Sequence, residues 1–139
     1  MSTQPFNSDG GFSTTGNITG NLLTLPNGAV VKDNSGDAVA FGQGAGETSQ
    51  GNAAVAIGSS AGYSNQGINA VAIGATAGAT TQGANSVAIG AAAGAQGEAT
   101  IAIGLSSGFG NQGNYAVAVG HTAGSNAQGL LAVAVGNSA

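Results

Sequence analysis

A tetrapeptide of the form Val-Ala-Ile-Gly recurs seven times at nearly fixed intervals, beginning at Val39, Val55, Val71, Val87, Ile101, Val117 and Val133. The starts are separated by 16, 16, 16, 14, 16 and 16 residues. A repeat this short cannot enclose an apolar face alone, so each copy must stack on the next, and the stack is a solenoid. Helical coils are excluded by glycine, which recurs in three columns of the repeat and costs a helix interior about 1 kcal/mol each time relative to Ala. Val-Ala-Ile is a short strand whose outer two side chains point one way and whose Ala points the other. The Gly that follows suits a bend at positive φ. Coils stacked in register at about 4.8 Å make residues 38–139 an all-β, short parallel β-solenoid of 14–16-residue coils.

Aligned on the first Val, the repeats read xVAIGxxAGxxxQGxx. One column holds Ala45-Gly46, Ala61-Gly62, Ala77-Gly78, Ala93-Gly94, Ser107-Gly108 and Ala123-Gly124. Another holds Gln50-Gly51, Gln66-Gly67, Gln82-Gly83, Gln96-Gly97, Gln112-Gly113 and Gln128-Gly129. The short repeat, from Val87, lacks two residues between Gly94 and Gln96. A strand resists such a change, because a one-residue slip turns every side chain to the other face, so a turn is expected near Ala95. The Val and Ile side chains are expected to fill the interior. The opposite stripe, Ala40, Ala56, Ala72, Ala88, Ala102, Ala118 and Ala134, is then small, apolar and outward, and is expected to be an interface between chains. The Gln column is expected to form a ladder of stacked amides.

Residues 1–37 are a separate N-terminal segment. Positions 1–17 have the composition of an extended polar arm, and Leu22-Leu23-Thr24-Leu25 and Ala29-Val30-Val31 flank the turn signal Pro26-Asn27-Gly28, which predicts a β-hairpin. The N-terminus has neither a basic segment nor an apolar core of the secretory kind, and no stretch nears 18 consecutive apolar residues, so no membrane insertion is expected. Lys32 is the only basic residue. Nucleic acid is therefore not an expected partner, since phosphate contacts need clustered Lys and Arg. The absence of Cys excludes disulfides and thiolate metal sites.

No residue earns a catalytic, cofactor-binding or metal-binding assignment, and a non-enzymatic protein is expected. His121 is the only histidine. It shares a variable column with Gln43, Ser59, Ala75, Ala91, Leu105 and Asn137, which favours a surface position, and only a three-fold axis gathering three copies would make it a metal or anion site. Gly42-Gln43-Gly44-Ala45-Gly46 lacks the Lys and the strand–helix setting of a phosphate loop. The column Gly44, Ser60, Thr76, Ala92, Ser106, Thr122, Ser138 is too irregular for a flat ice-binding Thr ladder. Tyr63, Phe109 and Tyr115 stand among small or polar columns, where they can dock on a glycan or protein or, more simply, pack on a neighbouring chain. Asn17-Ile18-Thr19 matches a glycosylation sequon by chance.

The repeats, most closely Ser86-Val87-Ala88-Ile89-Gly90-Ala91-Ala92-Ala93 with its 14-residue spacing to Ile101, resemble the head repeats of YadA-type trimeric autotransporter adhesins. That resemblance implies a left-handed roll, three chains side by side, and a host-surface component as partner. The segment FSTTGNITGNLLTLPNGAVVKD, followed by AVAFGQGAG and 16-residue repeats with Gln-Gly, is similar to virion structural and fibre proteins of tailed bacteriophages, notably those infecting marine cyanobacteria. This resemblance implies a homotrimeric fibre, tip or decoration of the virion, attached to other virion proteins through residues 1–37. It also implies possible contact with a host-surface glycan or protein. A bacterial adhesin head, at the cell surface, is the alternative; a soluble ligand- or ice-binding solenoid is a third. Leu130, Leu131, Val133 and Val135 make the last coil the most apolar, and its edge is expected to be covered by further sequence or by a partner.

Overall fold

In the computed structural model the backbone is described for residues 23–24 and 30–34, and the chain is described in full for residues 37–139. The polar arm, the Pro26-Asn27-Gly28 turn and the Asn17 sequon lie outside the described residues. Among the described residues eleven strands follow in order: β1 (Leu23–Thr24), β2 (Val30–Asn34), β3 (Ala38–Phe41), β4 (Thr48–Gln50), β5 (Val55–Ile57), β6 (Ser64–Gln66), β7 (Val71–Ile73), β8 (Val87–Ile89), β9 (Ile101–Ile103), β10 (Val117–Val119) and β11 (Val133–Val135). No helix occurs among the described residues. The repeats form a parallel β-solenoid, as their period requires.

Each coil has two walls joined by two tight turns. The first wall is the Val-Ala-Ile strand, and β3, β5, β7, β8, β9, β10 and β11 pair in parallel with every Val-column residue opposite the next. The chain then turns through Gly58-Ser59-Ser60-Ala61, where the Ala61 N–H donates to the Gly58 carbonyl at 3.2 Å and Ser60 sits at φ 55°. After the second wall it turns again through Gly67-Ile68-Asn69-Ala70, with the Ala70 N–H on the Gly67 carbonyl at 3.2 Å and Asn69 at φ 57°. Both have the positive third-residue φ of a type II turn. The Gly that ends each strand is needed for close approach: a Cβ on Gly74, at φ 124°, would lie 2.8 Å from the Gly90 carbonyl carbon of the next coil.

The expected direction of the strand side chains is overturned. Ala40, Ala56, Ala72, Ala88, Ala102 and Ala118 point inward and are at most 1 % exposed. Val39, Phe41, Ile57, Ile101 and Ile103 face outward, with exposures of 37–47 %. The Ala stripe is therefore the core and not an interface between chains. The reason is width. Ala56, Ala61 and Ala70 are all buried within one coil, and between them Gln66 reaches from the second wall to the Val55 carbonyl of the first. With Gln66 occupying the space between the walls, the inward strand position takes a methyl group and the larger Val and Ile lie outside.

The second wall consists of β4 and β6, paired in parallel with Gln50 opposite Gln66. It continues through single bridges between Gln66 and Gln82 and, further on, between Gln112 and Gln128. At the short coil this wall is interrupted while the first wall runs on. The turn expected near Ala95 is not found there: residues 93–96 form neither strand nor turn, and the flanking turns lie at 91–92 and 98–99. Ala95, not Gln96, takes the inward position: it is fully buried and accepts the Gly83 N–H at 2.9 Å. Gln96 is displaced outward and its Nε2 donates to the Phe109 carbonyl at 3.4 Å. The interior gap is narrowed by buried Ser86 and Thr100, where most other coils carry Ala. The Ser86 hydroxyl donates to the Gly83 and Ala95 carbonyls, and the Thr100 hydroxyl donates to the Gly97 carbonyl at 3.0 Å.

The predicted hairpin is present as β1 antiparallel to β2, with Leu23 opposite Val31 and Thr24 opposite Val30. It does not stand apart from the repeats. β2 pairs antiparallel with β3, from Val31 opposite Phe41 to Asn34 opposite Ala38, so the hairpin extends the first wall and closes its leading edge.

Candidate functional site

The outward residues of the first wall make seven rows of two: Val39 and Phe41, Val55 and Ile57, Val71 and Ile73, Val87 and Ile89, Ile101 and Ile103, Val117 and Val119, Val133 and Val135. Every row is apolar, and all are half-buried or exposed. At about 4.8 Å per coil the face runs about 30 Å. Alternation along the strand forces this result: once Ala is inside, Val and Ile must be outside. Exposed apolar faces of such extent mark contact sites on soluble proteins.

Beneath that face the Gln column ties the two walls together. Gln66 Nε2 donates to the Val55 carbonyl at 2.8 Å and the Ala70 carbonyl at 3.3 Å. Gln82 repeats this on Val71 and Ser86, Gln112 on Ile101 and Ala116, and Gln128 on Val117 and Ala132. In the complete coils from Val55, Val71, Ile101 and Val117 the expected amide-to-amide ladder is thus replaced by a crosslink within the coil. Gln112 Nε2 also donates to Gln128 Oε1 of the next coil, at 3.2 Å. Gln66 Oε1, Gln82 Oε1 and Gln112 Oε1 are buried without a hydrogen-bond partner. The Gly before the second wall makes room for this oxygen: a Cβ on Gly62 would lie 2.6 Å from Gln66 Oε1.

His121 is exposed, as its variable column suggested, with Nδ1 3.1 Å from Asn137 Oδ1 of the next coil. Among the described residues, no group of three His, Cys, Asp or Glu could hold a metal ion, and no helix is long and apolar enough to cross a membrane. The Ser/Thr column through Ser60, Thr76, Ser106, Thr122 and Ser138 sits at φ 54–56° within a turn. It is not a flat strand ladder. Tyr63, Phe109 and Tyr115 are all exposed, Phe109 beside the break in the second wall. That break, with Phe109, Thr80, Thr81 and Gln96 around one cavity, was missed from sequence, although the 14-residue interval was its visible sign. No family model, curated protein or solved structure matches the chain.

Proposed function

We propose that this chain is a non-enzymatic structural protein of a phage virion, a homotrimeric fibre, tip or decoration that projects from the particle and contacts the host surface. The observation that carries this reading is the seven-row face of Val, Ile and Phe on the first wall. A continuous apolar strip on a narrow solenoid is suited to burial against copies of itself, and three such strips converging on one axis would leave none in water. The interface assigned to the Ala stripe from sequence passes to this face. The similarity of the repeats to trimeric adhesin heads and to phage fibre proteins supports the trimer and the virion location. Residues 1–37 are the attachment segment to other virion proteins, as their non-repetitive sequence and the leading-edge hairpin suit them to be.

Two measurements test the proposal. Light scattering of the purified protein should give three chains, and Ile89→Glu should convert the trimer to folded monomer, because three carboxylates would meet without a cation. A folded wild-type monomer, or an unaffected Ile89→Glu trimer, would refute the interface. Immunogold labelling of purified virions should then decorate the particle, whereas label on the bacterial cell surface would favour the adhesin-head alternative.

A further inference from the structure

We infer that the break in the second wall is a binding site for a single uncharged sugar ring. The two-residue deletion in the short coil leaves a cavity of about 340 Å³ between its two neighbours. Thr76, Thr80 and Thr81 line it from the preceding coil, Gly94 and Gln96 from the short coil, and Phe109 from the following one. Its volume lies at the lower end of the range of about 300–1,000 Å³ typical of small-ligand sites, enough for one ring and little more.

The deletion creates both the space and its chemistry. In complete coils the second residue after the Ala-Gly pair is tied to its neighbour: the Thr48 N–H bonds the Tyr63 carbonyl at 2.9 Å, and the Ser64 N–H bonds the Ala79 carbonyl at 3.0 Å. Among the described residues, the corresponding Thr80 N–H has no backbone acceptor, because Ala95 has moved to serve Gly83. The short coil also omits the left-handed step made by Gly62, Gly78 and Gly108, since Gly94 has no positive φ. Its backbone takes a shorter path, and Ala92, Ala93 and Gly94 line the cavity. Gln96, displaced from the interior, brings its amide to the rim.

These groups select a ligand class. Phe109 is 61 % exposed and presents an aromatic surface for the C–H face of a pyranose. Three Thr hydroxyls, the Gln96 amide and the Thr80 N–H supply donors and acceptors for ring hydroxyls. An apolar occupant would leave those groups desolvated and unpaired. No lining residue is ionisable, so a phosphorylated or carboxylated sugar finds no counter-charge. The inference does not depend on whether the protein belongs to a virion or a cell surface.

The test is a titration of the purified, assembled protein with methyl glycosides of glucose, galactose, mannose and N-acetylglucosamine, followed by amide NMR shifts. Sialic acid serves as the charged comparison. A neutral glycoside should bind with a dissociation constant on the order of millimolar, as a single shallow subsite allows, and should shift the amides of Thr80, Thr81, Gly94, Gln96 and Phe109. Phe109→Ala and, separately, Thr80→Val should each weaken binding at least tenfold without changing the oligomer. Inserting Thr-Thr between Ala95 and Gln96, which copies the sequence of the preceding coil, should restore the second wall and abolish binding while the other coils keep their spectra. Absence of saturable shifts with every neutral glycoside, shifts mapping elsewhere, unchanged affinity in Phe109→Ala, or preference for sialic acid would each overturn the inference.

Discussion

Ala53 is held at φ 55°, and it is one of fifteen non-glycine residues described at positive φ. That conformation costs an L-residue about 1–2 kcal/mol, and the coil accepts the strain because only a tight turn brings the two walls together. Ala53→Gly should therefore stabilise the protein by up to about 1 kcal/mol, the relief exceeding the added freedom of the unfolded chain, as read by urea unfolding; a net loss would show the turn to be unstrained. Gln66 tests the interior. Gln66→Leu, similar in size, removes two hydrogen bonds and should cost about 1–2 kcal/mol, whereas Gln66→Glu should cost more at neutral pH because a carboxylate can only accept where two carbonyls need a donor. Equal stability of wild type and Gln66→Leu would mean that the buried amide contributes nothing. The orientation of these side chains was partly legible. The strand Ala column is Ala in all seven repeats, while the flanking columns admit Val, Ile and Phe; a column tolerating one size is a confined one. Alternation alone shows that a strand has two faces without showing which is interior.

Strand positions and parallel register followed directly from the period, since one strong apolar pair per coil leaves a single way to stack. The hairpin was equally legible from Pro26-Asn27-Gly28 between apolar runs, but its pairing partner was not: nothing local in Val30–Asn34 states that it will lie antiparallel to Ala38–Phe41. That contact alters what truncation should do. Deleting residues 1–34 removes β2 and exposes the unpaired edge of β3, which is a template for further strands. The shortened protein should melt at a lower temperature and associate end to end, with the amides of Ala38 and Ala40 exchanging faster in hydrogen exchange, since the Val39 N–H is held by the Ala54 carbonyl of the next coil. Unchanged exchange there would show that β2 does not cover the edge. The second wall was least legible, because Gln-Gly spacing aligned Gln96 with its counterparts although the missing residues shift the backbone beneath it.

Across the whole molecule, apolar side chains are divided between a thin buried Ala core and an outward Val and Ile face, so in the proposed trimer association and stability of the fold would be coupled. Ala72→Glu, which places a charge inside a coil, should unfold the protein outright, while Ile89→Glu should leave folded monomers of reduced stability; circular dichroism and light scattering on the same samples separate the two. Finally, the bonds of Gln66 to Val55 and Ala70 close within residues 55–70. Like columns meet at each complete neighbouring coil, so a gene that gains or loses one such unit of sixteen codons creates no unfamiliar junction. Length is then heritable in increments of about 4.8 Å, and the repeat array acts as a ruler that replication errors can reset. Tandem duplication of residues 55–70 should yield a folded protein with an equal or higher melting temperature and one added increment of length. A gain of one residue would do the reverse, turning every side chain beyond it to the wrong face.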